Sequence, residues 1–128
     1  MYPVTVPDRI STFLIVDDDL DLRILLTLVL GSQHMNVVTA SGGQEALDIL
    51  DHGEVPDLIL TDMCMPGMNG SELFMKLKNN ARTKNVPVII TSALENLEAR
   101  TKTLGGEAYL QKPYRVDTLM DLVKTHLH

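Results

Sequence analysis

The 128-residue chain reads as an α/β domain in which five short strands alternate with five helices, giving a single doubly wound five-stranded parallel sheet. Three observations carry this. Short apolar or β-branched runs are separated by stretches whose apolar residues fall at helical spacing. Gly and Pro punctuate the joins. Two of the runs end abruptly in aspartate: Phe13-Leu14-Ile15-Val16 enters Asp17-Asp18-Asp19, and Leu58-Ile59-Leu60-Thr61 enters Asp62. Core strands of a parallel sheet meet solvent at their carboxyl ends in this way.

Residues 1–10 form an extended lead-in, because Pro3 and Pro7 oppose regular structure. The domain proper is 11–128. Its first strand is Phe13 to Val16. The helix after it is capped by Asp19 or a neighbour, carries Leu22, Leu25, Leu26 and Val29 as an inward stripe, and stops at Gly31. Asn36 to Ala40 holds Val37, Val38 and Thr39, a β-branched second strand. Ser41 and Gly42 turn into a helix with Ala46, Leu47 and Leu50 on one face, ended by Gly53 and Pro56. Leu58 to Thr61 is the third strand, and Met65 to Gly70 is a turn-rich loop. Ser71 to Leu77 is a helix with Leu73, Phe74 and Leu77 inward. Pro87 introduces the fourth strand, Val88 to Thr91. Leu94, Leu97, Thr101 and Leu104 space out a fourth helix, closed by Gly105-Gly106. Ala108 to Gln111 is the fifth strand, and Val116, Leu119, Met120, Val123 and Leu127 line the last helix.

Composition excludes several functions. A net charge of −6 argues against direct contact with nucleic acid or an anionic membrane. No apolar stretch approaches the ~20 residues that span a bilayer, and the first residues lack a secretory pattern. The single cysteine, Cys64, rules out an internal disulfide and suits the cytoplasm. His34, His52, His126 and His128 are scattered, and the last two are spaced poorly for a metal.

In an open α/β sheet the functional groups gather at the carboxyl ends of the strands. Here those ends hold Asp17 and Asp18, Asp62, Ser92 after Thr91, and Lys112; the second strand adds only Ser41 and Gly42. Converging carboxylates raise one another's pKa unless a cation holds them together. Asp17 and Asp18 suit Mg²⁺, which takes oxygen ligands at about 2.0–2.1 Å. Asp62 can also touch the metal and keep an oxygen free as a nucleophile toward phosphorus. Mg²⁺, the Lys112 ammonium and the Ser92 hydroxyl have the charges and donors to hold a phosphoryl group. Each residue has a plainer use: an aspartate run as a helix cap, a lone aspartate as a turn former, Ser92 as a cap of the fourth helix, Lys112 as a solvated loop lysine. Their conjunction at four of five strand ends favours the chemistry.

These residues resemble the receiver domain of two-component response regulators. The resemblance rests on Leu14 to Asp19, Pro56 to Gly70, Pro87 to Ala93 and Ala108 to Pro113, in order, with Gly43 to Leu47 resembling the family's second helix. It implies a flavodoxin-like (βα)5 fold of strand order 2-1-3-4-5. By the same resemblance Asp62 is the phosphoacceptor, which takes a phosphoryl group from the phosphohistidine of a sensor histidine kinase or phosphotransfer protein. Asp17, Asp18, Asp62 and the Cys64 carbonyl would hold Mg²⁺ or Mn²⁺. Ser92 would be the switch hydroxyl, Tyr109 the switch aromatic, and Lys112-Pro113 a cis peptide. The protein would be a switch that assists its own phosphorylation and dephosphorylation, not an enzyme with a separate substrate. Its output would pass through the fourth helix, fifth strand and fifth helix, to a downstream protein or output domain or to a second copy.

Asn69 stands where many relatives carry Asp. Cys64 and Leu94, two residues after Asp62 and Ser92, flank the path of a hydrolytic water and position it poorly, which predicts slow loss of the phosphoryl group. Three rivals remain. A haloacid dehalogenase-type phosphatase would want a threonine that Asp17-Asp18-Asp19-Leu20-Asp21 lacks. A flavin or nucleotide binder would not place three aspartates after its first strand. A degenerate receiver would serve only as a binding module.

Overall fold

The strands are β1 (Thr12–Val16), β2 (Asn36–Ala40), β3 (Leu58–Asp62), β4 (Val88–Ser92) and β5 (Ala108–Gln111). They alternate with helices α1 (Leu20–Ser32), α2 (Gly43–His52), α3 (Gly70–Lys78), α4 (Leu97–Leu104) and α5 (Val116–His126). All strand pairs are parallel, in the order β2-β1-β3-β4-β5, as expected. The structure, a computed structural model, describes residues 10–106 and 108–127. Apart from Ile10, the expected lead-in lies outside the described residues, as does His128.

The period of two along each strand divides the core. Leu14, Val16, Ile59, Val88 and Ile90 face α2, α3 and α4 and pack on Ala46, Leu50, Leu73, Phe74, Leu77 and Leu97. Phe13, Ile15, Leu58, Leu60, Ile89, Ala108 and Leu110 face α1 and α5 and pack on Leu26, Leu30, Leu119 and Val123. Each fully buried Leu, Ile or Phe contributes about 1.5–3 kcal/mol. On the first of these faces Arg82 closes the end of α2, donating from Nη1 to the Leu50 carbonyl at 2.8 Å and from Nη2 to the Gly53 carbonyl at 2.9 Å.

Three expectations need correction. In α1 the inward residues are Leu26 and Leu30, with Leu22 and Val29 half-buried, while Leu25 is 46% exposed. The helix is apolar nearly all round, so spacing alone does not pick its buried arc. Gly31 does not stop α1, which runs on to Ser32; the chain reverses at His34, whose φ of 62° takes the left-handed role. The fourth helix begins at Leu97, after a left-handed Asn96 (φ 59°), so Leu94 belongs to the preceding loop and Ser92 caps no helix.

Candidate functional site

Strand register assembles the site. Val16 pairs with Thr61, so Asp17, one residue on, lies beside Asp62. Asp17, Asp62 and Lys112 each follow a core residue (Ile15, Leu60, Leu110) by two, which sends all three side chains toward the α1 and α5 side of the sheet edge. The Lys112 backbone N–H donates to the Ser92 carbonyl at 2.8 Å, holding the end of β5 against β4. The Lys112-Pro113 peptide is cis.

Asp17 and Asp62 are 3% and 6% exposed, whereas Asp18 is exposed. Ligand oxygens of Asp17, Asp18 and Asp62 lie within 4.8 Å of one another. The Lys112 ammonium donates to Asp17 Oδ2 at 2.8 Å and to Asp62 Oδ2 at 3.2 Å. The Asp19 N–H donates to Asp17 Oδ1 at 2.9 Å, and the Cys64 N–H to Asp62 Oδ1 at 3.2 Å. Asp19 also caps α1, accepting from the N–H groups of Asp21 at 3.0 Å and Leu22 at 3.3 Å. An all-oxygen trio with one exposed member fits a hard divalent cation.

Burial pushes the Asp62 carboxyl above the ordinary aspartate range; the Cys64 N–H and Lys112 oppose this, and the Asp17 charge adds to it. For Lys112 burial is the largest single influence and pulls downward, but Asp17 and then Asp62 outweigh it, and the ammonium titrates above the usual lysine value. Burial pushes the Tyr114 phenol up to about 12. Its hydroxyl is buried with no hydrogen-bond partner among the described residues. Lysine thus serves as the internal counter-charge of the pair. Replacing Lys112 by Met is expected to destabilise the protein by about 1–3 kcal/mol, below the ~3–5 of a wholly buried pair because the lysine side chain is 22% exposed. Urea unfolding in EDTA checks this, and added Mg²⁺ should restore most of the loss.

Ser92 is fully buried; its Oγ accepts from the Leu94 N–H at 3.0 Å and lies 4.0 Å from Cys64 Sγ. Tyr109 is 37% exposed and turned away from Ser92's pocket, beside Glu98, whose carboxyl is held low by Lys102 first and also by the Tyr109 hydroxyl. Gln111 Nε2 donates to the Leu94 carbonyl at 2.9 Å, tying the β4–α4 loop to β5. The structure thus brings Asp17, Asp18, Asp62 and Lys112 into one cluster and sets Ser92 and Cys64 at its edge. Tyr109 stands apart on the α4 side.

Two residues that sequence reasoning passed over support the cluster. The Gly70 N–H donates to the Met63 carbonyl at 2.9 Å, and a β-carbon there would stand 2.6 Å from Met63 Cα. Arg23 Nη1 donates to the Asp17 carbonyl at 2.6 Å. Glycine in a turn-rich loop hints at the first; nothing in the linear sequence marks the second.

The family model for the response regulator receiver domain matches residues 13–124. Sporulation initiation phosphotransferase F of Bacillus subtilis is 39% identical over 116 residues, covering 89% of this chain and 91% of that protein. The polar-differentiation response regulator DivK of Brucella ovis is 32% identical over 119 residues, covering 91% and 95%. Among solved structures, the Vibrio cholerae chemotaxis protein CheY4 superposes with a TM-score of 0.85 at 26% identity, covering 93% of this chain and all of that one. The response regulator TrrA of Thermotoga maritima, in complex with Mg²⁺-BeF, superposes with a TM-score of 0.81 at 28% identity, covering 92% and 100%. The chain therefore belongs to the response regulator receiver domain family, the phosphorylation-dependent switches of two-component signalling.

Proposed function

We propose that residues 11–128 act as a cytoplasmic receiver in which Asp62 takes the phosphoryl group of a histidine kinase or phosphotransfer protein, with Asp17, Asp18, Asp62 and the Cys64 carbonyl as the Mg²⁺ (or Mn²⁺) site. The observation that carries this is the buried Asp62 held between the Cys64 N–H and the Lys112 ammonium, beside two further carboxylates. An Asp62 oxygen attacks phosphorus, the phosphorus–nitrogen bond of the donor breaks, and the electron pair leaves on the imidazole. The bound cation would supply charge neutralisation for the phosphoryl oxygens. Lys112 and Ser92 offer an ammonium and a hydroxyl to the same oxygens. Recruiting the Ser92 hydroxyl would break its bond to Leu94 and release the loop that Gln111 holds, letting Tyr109 turn inward. That couples Asp62 to the α4-β5-α5 face, where a downstream protein, an output domain or a second copy would read the change. The protein is then its own catalyst of phosphorylation and dephosphorylation, with no separate substrate.

An exposed apolar surface supports docking of the donor beside this cluster. Leu20, Ile24, Leu25 and Leu28 leave one face of α1 46–68% exposed. It runs into an apolar cleft of about 300 Å³ between α1 and the start of α5, lined by Leu22, Leu25, Leu26, Pro113, Tyr114 and Val116, with Lys112 at its edge. Apolar area of this kind beside a reacting group suits a partner helix that presents the phosphohistidine. No helix among the described residues is long and apolar enough to cross a membrane.

Intact mass after incubation with Mg²⁺ and a small acyl phosphate tests the reading. One phosphoryl adduct, absent from Asp62→Asn, supports it; no adduct with acyl phosphate or with a kinase marks a binding-only receiver. The adduct should persist for many minutes, because neither Cys64 nor the exposed Leu94 can orient a water as a carboxylate or amide would. Leu94→Gln should shorten its lifetime roughly 10-fold, less than the 10²–10⁴ of a true general base, since an amide only orients water. A wild-type half-life of seconds would overturn this.

A further inference from the structure

Arg23 lies at the start of α1 and is half-buried. Its Nη1 reaches the Asp17 carbonyl at 2.6 Å. Glu45 has its carboxyl held low by Ser41, whose Oγ donates to Oε2 at 2.6 Å and whose N–H donates at 3.0 Å, with a smaller contribution from the Arg23 charge. One guanidinium therefore ties the β1–α1 turn down.

The geometry points to Arg23 as a positioning residue for the metal pocket: by holding the Asp17 carbonyl it sets the peptide plane from which the Asp18 carboxylate departs. This rests on the Mg²⁺ reading above. Both Asp17 carboxylate oxygens are held, by the Asp19 N–H and by Lys112. The Asp17 N–H is held as well, at 3.1 Å from the Ala40 carbonyl. Asp18 is exposed, and among the described residues nothing bonds its carboxylate. Its direction is set by the backbone that carries it. The carbonyl of Asp17 belongs to the peptide that joins Asp17 to Asp18, and Arg23 is the group that fixes it. Outer partners of a metal's ligands act in this way, and losing one weakens metal affinity by roughly 10–100-fold.

Charge alone predicts the opposite sign. A cation beside three carboxylates repels Mg²⁺, so removing it would tighten binding. The two accounts therefore separate in one measurement. Isothermal titration with MgCl₂ should show Arg23→Met binding roughly 10-fold more weakly than wild type. Arg23→Lys, which keeps a donor, should regain a good part of that loss. In an Asp18→Asn background Arg23→Met should change affinity by less than about twofold, because the role acts through Asp18. Melting curves in EDTA report folding separately; if Arg23→Met does not fold, Arg23→Gln replaces it in the same titrations. Equal or tighter Mg²⁺ binding by the Met or Gln variant overturns the inference, as does full additivity with Asp18→Asn. A wild type that binds no Mg²⁺ removes the metal reading itself, a distinct result.

Discussion

Asp62→Asn will take no phosphoryl group and will melt at a higher temperature than wild type in EDTA at neutral pH. The first half follows from chemistry. An amide oxygen is a poor nucleophile toward phosphorus, and no second carboxylate shares the position of Asp62 between the Cys64 N–H and Lys112. The second half follows from the direction of the pKa shift. Burial holds the Asp62 carboxyl above its unfolded value, so the folded protein binds that proton more tightly than the unfolded chain does. The protonated form favours folding, and this advantage is lost as pH rises through the unfolded and then the folded pKa. At pH 7 the ionised group is therefore a liability, and asparagine keeps the shape without the charge. The gain should read on the order of 4 °C for each kcal/mol relieved in a domain of this size. It should shrink as pH falls below the carboxylate range, and shrink again when Mg²⁺ is added to the wild type. A variant that melts lower than wild type at pH 7 in EDTA would contradict the argument.

Gly70→Ala will be the most damaging glycine-to-alanine change in this domain. The added carbon would stand 2.6 Å from Met63 Cα and nearer still to the Asp62 carbonyl oxygen, both backbone atoms that no side-chain rotation can clear. Either α3 backs out of the core or the β3–α3 turn shifts. Retreat of α3 loosens Leu73, Phe74 and Leu77, which are almost wholly buried. Movement of the turn displaces the Cys64 N–H from Asp62. The expected loss exceeds about 4 kcal/mol, beyond the usual range for overpacking and a large part of the ~5–15 kcal/mol that hold such a domain folded. Urea unfolding measures it. Gly43→Ala is the control: its β-carbon would meet Met68 Sδ at 2.9 Å and Met68 Cβ and Cγ at 3.0 Å, all side-chain atoms of a loop residue, and should lose less than about 3 kcal/mol. Equal losses at the two positions would refute the backbone argument.

The strands were legible because a buried parallel strand must be apolar on both faces and must become polar where it leaves the core. That rule alone places Asp17, Asp62, Ser92 and Lys112 at one edge. What joined them was less visible. Parity along the strands, which aligns Asp17, Asp62 and Lys112, follows only once the register is known. The outward turn of Leu25 and its neighbours was hidden because α1 is apolar on nearly every side, and an apolar helix does not say which arc is covered. Arg23 and Gly70 act through backbone atoms of other residues, and a carbonyl leaves no signature in the residue that bears it. Leu94 has helical spacing with Leu97 and Thr101, yet the left-handed Asn96 starts the helix later, a choice made by the loop that Gln111 pins.

Lys112, lodged between Asp17 and Asp62, has one more consequence, which is a matter of valence. Counting only the side chains whose charged atoms meet one another, and leaving Arg23 outside on its backbone carbonyl, three carboxylates and one ammonium stand two negative charges from neutrality. On the proposed reading one divalent ion brings it to zero, while a monovalent ion leaves a residue of charge and a trivalent ion overshoots. Exchanging the Asp62 carboxylate for an acyl phosphate dianion then makes the same volume about one charge negative again, beside the buried Asp17. The remedy nearest to hand is a hydroxyl dipole. The switch is in this sense an electroneutral cell that phosphorylation sets out of balance, and the lysine determines which ion can balance it and how far the imbalance goes.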